Sequence, residues 1–365
     1  MEITVKFRIL PSNEQSELME AILQEYISTI NSIVSSMISS GYSVILTSKD
    51  ISSDMPSAVR NQAIRDAKSV YSRYKKAVGI NSRKPDDKQK AIVVPVLRKP
   101  VCIWNNQNYS FKDGIIRFPV NINGKSQIIS VKAITDTYQL QYLQHKAGSL
   151  RITKKSGKWI AQISVCVPEG KSEGSNQMGV DLGLKVPAVA VTESGKTRFL
   201  GNGRQNKYIK RKHRAKRKRL GEAKKIRAIK NLDDKEQRWM KDQDHKVSRG
   251  IVDFAVKNNV SVIRLEKLTN IRSTARTSRK NEKNLHTWSF YRLAQFIVYK
   301  AKLCGIAVEY VNPKYTSQTC PDCGTHNKAK DRKYQCSCGV RTHRDRLGAI
   351  NIINAPVADG NSLPA

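Results

Sequence analysis

Acidic side chains are scarce: 30 Asp and Glu stand against 66 Lys and Arg, a formal net charge of +36 over 365 residues. Such an excess repels itself in a folded chain unless a polyanion neutralises it. Nucleic acid fits that role best, because each neutralised phosphate also releases counterions. Charge alone would fit a ribosomal or chromatin protein equally well. Long apolar runs are missing too. No stretch of 18 apolar residues occurs, which argues against a membrane-spanning helix and against a membrane partner. The opening MEITVKFRIL alternates like a strand and lacks the apolar core of a signal peptide. Walker, HExxH and GxSxG patterns are all absent. Cysteine is present but odd in number, seven, with four clustered towards the C-terminus. That usage suits a metal site in a reducing compartment better than a disulfide framework. Cys102, Cys166 and Cys304 stand alone in apolar segments and read as packing residues.

The length suits two or three domains. Residues 2–10 read as a strand, and Ser12 with Gln15 forms a capping box that opens a helix over 13–40. Leu18, Ile22, Tyr26, Ile30 and Val34 share one face of it. A second helical stretch, about 56–78, carries Val59, Ala63, Ile64, Ala67, Val70 and Tyr74 on its apolar side. After a polar linker at 81–90, residues 91–168 become β-rich, with a hairpin turn at Ser156-Gly157. The N-terminal half therefore reads as a β-barrel or sandwich with a helical insertion after its first strand. A second linker spans 168–177. Beyond it, MGVDLG and PAVAVT suit buried strands, and a basic helical stretch covers about 204–230. A helix at 233–258, the strand VSVIRLE at 260–266 and a polar, aperiodic loop at 267–286 follow. The chain closes with a helix at 288–304, a strand at 306–311, the cysteine cluster at 320–338 and a last helix beginning RDRLGAINIIN.

Three acids sit where an unpaired carboxylate is costly: Asp181 inside GVDLG, Glu266 ending VIRLE, and Asp345 at the start of the last helix. Singly, each could be a salt bridge or a cap. Together they form an oxygen set for hard divalent ions such as Mg²⁺. Two such ions about 3.5–4 Å apart activate water and stabilise the leaving oxygen in phosphodiester hydrolysis. The order strand acid, central-strand acid, last-helix acid is that of the RNase H-like fold. Cys320-x₂-Cys323 and Cys336-x-Cys338 form a four-thiolate set for one structural zinc, with Pro321, Gly324 and Gly339 supplying tight turns. The second pair has one intervening residue rather than two, which leaves His343 as an alternative ligand. The basic helix offers Arg204, Lys207, Lys210, Arg211, Arg214, Arg217 and Lys218 to nucleic-acid backbone. The loop beside Glu266 adds Arg272, Arg276 and Arg279. Trp239, Trp288, Phe290 and Tyr291 could stack on bases, but their helical spacing favours core packing, and His245 reads as a core or helix-surface histidine.

GVDLGLKVPAVA, VIRLEKL, NPKYTSQTCPDCG and CSCGVRTHRDRLGAINI, in that order, resemble the TnpB family of transposon-encoded proteins, ancestral to the type V CRISPR effectors. KFRILPSNEQ and DHKVSRGIVDFA extend the resemblance, whereas residues 40–170 match only in layout. The resemblance implies an α+β multidomain protein that is an RNA-guided DNA endonuclease. Residues 1–10 and 91–170 would form a β-barrel wedge, with a helical recognition lobe inserted at 11–90. Residues 178–314 and 342–356 would form an RNase H-like RuvC domain, with a zinc ribbon at 315–341 and a flexible tail at 357–365. It places Asp181, Glu266 and Asp345 on the catalytic acids, and Cys320, Cys323, Cys336 and Cys338 on the zinc ligands. The implied partners are a guide RNA, two catalytic Mg²⁺ ions, one zinc and a double-stranded DNA target next to a short flanking motif. A monomer is favoured, in the prokaryotic cytoplasm near the nucleoid. Two alternatives stay open: a guided repressor that does not cut, and a transposase or nuclease that acts on DNA without a guide.

Overall fold

The computed structural model describes residues 1–232, 234–268, 288–329 and 331–358. The chain divides into two compact units, Met1–Val167 and Pro168–Ala365. The division falls within the polar linker that separates the two sequence textures.

In the first unit, strand β1 (Glu2–Leu10) leads into helix α1 (Asn13–Ser40), and the Ser12/Gln15 capping box forms as the sequence requires. Helix α2 (Ser57–Ser82) packs against α1. Met19, Ile22, Leu23, Tyr26 and Ile30 of α1 and Val59, Ala63, Ile64 and Ala67 of α2 are buried. Met19, rather than Leu18, is the fully buried residue of the first turns. Six further strands follow: β2 (Val101–Trp104), β3 (Ser110–Lys112), β4 (Ile115–Ile122), β5 (Lys125–Ile134), β6 (Lys146–Lys155) and β7 (Lys158–Cys166), with the short α3 (Thr137–Leu143) between β5 and β6. They join β1 in one antiparallel sheet of order β2-β6-β7-β1-β5-β4-β3. Ser156 and Gly157, with φ of 51° and 71°, make the β6–β7 turn that the sequence signals.

The N-terminal barrel expected from the sequence is corrected here to an open, curled half-barrel. Its edge strands β2 and β3 have four and three residues and do not pair with each other. The curl is filled by side chains. Trp104 of β2 lies 4.8 Å from Phe118 of β4, ring to ring, and its indole N–H donates to Pro119 O at 3.0 Å.

The second unit is built on a mixed sheet of order β10-β9-β8-β11-β12. Its strands are β8 (Asn176–Leu182), β9 (Ala188–Thr192), β10 (Thr197–Leu200), β11 (Val260–Glu266) and β12 (Ala307–Val311). β8, β11 and β12 run parallel, while β9 and β10 are antiparallel additions. The connections carry α4 (Gly203–Glu222), α5 (Ile226–Leu232), α6 (Lys235–Lys257) and α7 (Phe290–Leu303); α8 (Arg344–Asn354) follows β12 and the cysteine cluster. The single basic helix expected over 204–230 is thus two helices. Period-2 alternation decides the faces. Met178, Val180, Ile263 and Leu265 turn to one face and join Val252, Ala255, Ile297 and Ala301 in the main core. Gly179, Asp181, Arg264 and Glu266 therefore turn to the other face, where α8 packs. A β-carbon on Gly179 would lie 2.0 Å from Ala349 O, so glycine is what lets α8 approach β8 this closely.

Candidate functional site

The three acids come near one another at the carboxyl ends of this sheet's interior strands. Parallel pairing sets Leu265 opposite Val180, so one step on, at the carboxyl ends of both strands, Glu266 comes level with Asp181. α8 crosses the same face. It delivers Asp345 in its first turn, and Gly348 so close to Asp181 that a β-carbon there would sit 3.2 Å from Oδ2. The Asp345 N–H donates to His343 Nδ1 at 3.2 Å, so His343 caps α8.

Electrostatics set this cluster apart. Burial pushes the Asp181 carboxyl well above its usual range, and the charges of Glu266 and Asp345 push it the same way, against a pull from Arg344 and Arg332. Burial also raises Glu266, opposed by a hydrogen bond from the Thr316 hydroxyl. Among the described residues no donor meets the Asp181 carboxylate. Asp345 is 6% exposed and pairs through both oxygens with Arg332. A half-buried carboxylate that no described residue donates to, beside two more acids, fits a site for divalent cations, since oxygen ligands of this kind are what Mg²⁺ takes. The carboxylates are held less tightly together than the ribbon thiols.

Cys320, Cys323, Cys336 and Cys338 converge, with all four sulfurs within 4.8 Å of one another. Sγ of Cys320 lies 3.5 Å from that of Cys338, and Cys323 lies 3.4 Å from Cys336. A Zn–S bond of about 2.3 Å sets tetrahedral S···S edges near 3.8 Å, so the quartet fits zinc. The short Cys336-x-Cys338 spacing is absorbed by Gly339 at φ 101°, and His343 is not recruited. Each pair sits on a similar turn: Gly324 N–H donates to Cys320 O and Gly339 N–H to Cys336 O, both at 3.1 Å. The Cys338 backbone N–H holds the Cys336 thiol down to about 6, while hydrogen bonds with the other sulfurs push Cys338 up to about 12, so the four thiols titrate as one set. The ribbon strands β13 (Lys333–Gln335) and β14 (Arg341–His343) enclose Tyr334, which packs with Cys320, Cys336 and Leu347 of α8.

Arg204, Lys207, Lys210, Arg211 and Arg214 share one side of α4, where they line a cavity of about 540 Å³. The loop after Asp181 (Gly183, Leu184 and Lys185) and Arg332 complete its basic wall, and Met240, Asp244 and Trp288 also line it. Arg217 turns away to Glu236 at 2.6 Å, and Lys218 lies 3.6 Å from Glu222 on its own helix. Arg272, Arg276 and Arg279 fall outside the described residues. Trp288 and Phe290 pack against the main core, as their spacing suggests. His245 stacks on Phe296 at 4.0 Å and is pushed down to about 4 by burial and then by Lys300, which agrees with its reading as a packing residue.

Sequence reasoning missed Arg332, Thr316 and Asn351. Arg332 lies between the cysteine pairs, and Thr316 and Asn351 lie in stretches noted only for their overall pattern. Their partners are distant in sequence or reached only by tertiary packing: Glu266 is 50 residues from Thr316, and Asn351 contacts residues 32 and 35 positions away. No local pattern marks such pairs.

Two family models match the chain: residues 161–272 match OrfB_IS605, described as "Probable transposase", and residues 290–352 match the "Cas12f1-like, TNB domain". The CRISPR-associated endodeoxyribonuclease Cas12f1 of Sulfoacidibacillus thermotolerans is 26% identical over 323 residues, covering 80% of this chain and 75% of that protein. A TnpB-like protein of Methanocaldococcus jannaschii is 39% identical over 121 residues, 32% of this chain and 43% of its own length. The fold matches the protein in the cryo-EM structure of a Cas12f1-sgRNA-target DNA complex. The TM-score is 0.66 at 17% identity, over 95% of this chain and 84% of that one. With these motifs in sequence order and a Cas12f-like fold around them, the chain resembles TnpB-like and Cas12f proteins in sequence and in fold.

Proposed function

We propose that the protein is an RNA-guided DNA endonuclease that cleaves double-stranded DNA beside a short flanking motif. The observation that carries this reading is the approach of Asp181, Glu266 and Asp345 at the carboxyl ends of one sheet's interior strands, next to a cavity walled by Arg and Lys. In this reading residues 178–314 and 342–356 are a RuvC domain of RNase H type, and 315–341 its zinc ribbon. Residues 1–10 and 91–170 form the wedge, and 11–90 the recognition lobe. The sheet order, with acids on β8, β11 and α8, supports the assignment.

Asp181, Glu266 and Asp345 would hold the catalytic cations. Mg²⁺ bound there would supply Lewis acidity for phosphodiester hydrolysis. Thr316 orients Glu266 by its hydrogen bond. The cationic side of α4 holds the strand by its phosphates as it approaches the acids, and carries no base information. Arg332 pairs with Asp345 and balances its charge. Four thiolates hold a structural zinc. Sequence is read by pairing with a guide RNA, and the monomeric complex acts on DNA in the prokaryotic cytoplasm.

The decisive experiment purifies the protein with its RNA and exchanges the guide segment. Cut sites are expected to follow the new guide, with mismatches near the flanking motif hurting most. Asp181→Ala is expected to abolish cleavage and retain binding. Glu266→Gln and Asp345→Asn should match it, since such acids act as a unit. Cutting that stays at the old site, or that needs no RNA, would establish a protein-read nuclease or transposase instead.

A further inference from the structure

Two side chains outside the acid set connect the acids to the ribbon. Thr316 is 6% exposed, in the turn at 314–318 between β12 and the first ribbon cysteine. Its hydroxyl carries one hydrogen and reaches two acceptors, Glu266 Oε1 and Pro313 O, the latter at 3.1 Å. A carboxylate accepts more strongly than a neutral carbonyl, so the hydrogen goes to Glu266. The turn is fixed from α8. Asn351 Nδ2 has two hydrogens and donates to Thr316 O and Thr319 O, both at 2.7 Å. Both donors are thus spent on the backbone of one loop. The residue after Thr319 is Cys320, a buried ribbon thiol that packs with Leu347 of α8. One helix therefore presents Asp345 and also fixes the loop that orients Glu266.

We propose that Thr316 and Asn351 are positioning residues for the divalent-cation site: Thr316 sets the Glu266 carboxylate, and Asn351 sets Thr316. The inference rests on the reading of the three acids as a cation site. A tie between helix and loop that served only the fold would change stability or zinc content and leave cation affinity untouched. A positioning role changes cation affinity at constant fold, because donors that orient a ligating carboxylate contribute to metal binding. Loss of such partners typically weakens metal affinity or activity by about 10–100-fold.

The test uses the zinc-loaded full chain and Mn²⁺ as the probe. Binding is measured by calorimetry for wild type, Thr316→Val, Thr316→Ser, Asn351→Ala and Asp181→Ala, with zinc content and thermal midpoint recorded for each. Thr316→Val keeps the shape and removes the donor. It is expected to weaken Mn²⁺ binding about 10–100-fold with zinc content and midpoint retained, and to raise the Mn²⁺ needed for half-maximal cleavage. Thr316→Ser restores the donor and is expected to return the affinity to within a few-fold of wild type. Asn351→Ala should follow Thr316→Val. Wild-type Mn²⁺ affinity in Thr316→Val overturns the positioning role. Equal Mn²⁺ binding by wild type and Asp181→Ala overturns the acid-site reading itself, so the two failures are separable.

Discussion

Gly348→Ala separates stability from chemistry at the acid cluster. The added β-carbon would sit 3.2 Å from Asp181 Oδ2 and 3.4 Å from Cγ. The position lies inside α8, so no backbone strain opposes alanine. Two effects of opposite sign follow. Alanine in a helix interior is better than glycine by about 0.8–1 kcal/mol. The new contact is tighter than ordinary packing, so the carboxylate must give by a few tenths of an ångström. Among the described residues no donor holds that carboxylate, so the shift costs little stability. Net stability is expected to be unchanged or to rise by up to about 1 kcal/mol, a gain of a few degrees in thermal midpoint. Catalysis is less forgiving. A misplacement of about 1 Å can cost ~100-fold, so a few tenths is expected to lower kcat roughly three- to tenfold with DNA binding unchanged. Gly179→Ala is the contrast. Its β-carbon would meet Ala349 O at 2.0 Å, a backbone atom that moves only with α8. A loss of about 1–3 kcal/mol or more is expected there. Thermal melts and cleavage of a labelled duplex by the RNA-loaded protein read both. Wild-type cleavage by Gly348→Ala, or a large loss of its stability, would refute this account of how Gly348 meets Asp181.

Three further outcomes are expected. Cys323→Ser should retain zinc at least about tenfold less well against a chelator and lower the thermal midpoint, because ligation contributes to folding; full zinc retention would remove the site. Burial pushes Lys300 down from 10.5 to about 8, so between those values the unfolded chain binds more protons than the folded one. Stability should therefore rise with pH from about 8 to 10.5, and denaturant melts of Lys300→Met should lose that slope. Replacing Arg204, Lys207 and Arg211 together by Gln should flatten the salt dependence of duplex binding, by roughly 0.9 in log–log slope for each phosphate that is no longer neutralised; an unchanged slope would place the DNA elsewhere.

Much of the second unit was legible in the chain. VSVIRLE and GVDLG betray strands by their apolar content, and the acids inside them stand out because burial without a partner is costly. The capping box at Ser12, the turn at Ser156-Gly157 and the cysteine spacings are local chemistry with local consequences. The closure of the N-terminal sheet was not legible. Alternation specifies a half-buried strand, but whether β2 meets β3 depends on strand length and on what Trp104 and Phe118 fill.

By itself the sequence determined the element types, the excess of positive charge and the four thiols. Those properties depend on residue identity and on spacing within one strand, one turn or one helix. Only the tertiary structure decided that Glu266 comes level with Asp181, since that register belongs to β8 and β11 together. It alone set Arg332 on Asp345, Thr316 on Glu266 and Asn351 on the Thr316 loop. It also turned five cations of α4 to the cavity and Arg217 to Glu236. Each of these pairings runs across elements, where a side chain's partner is chosen by packing rather than by its neighbours in the chain.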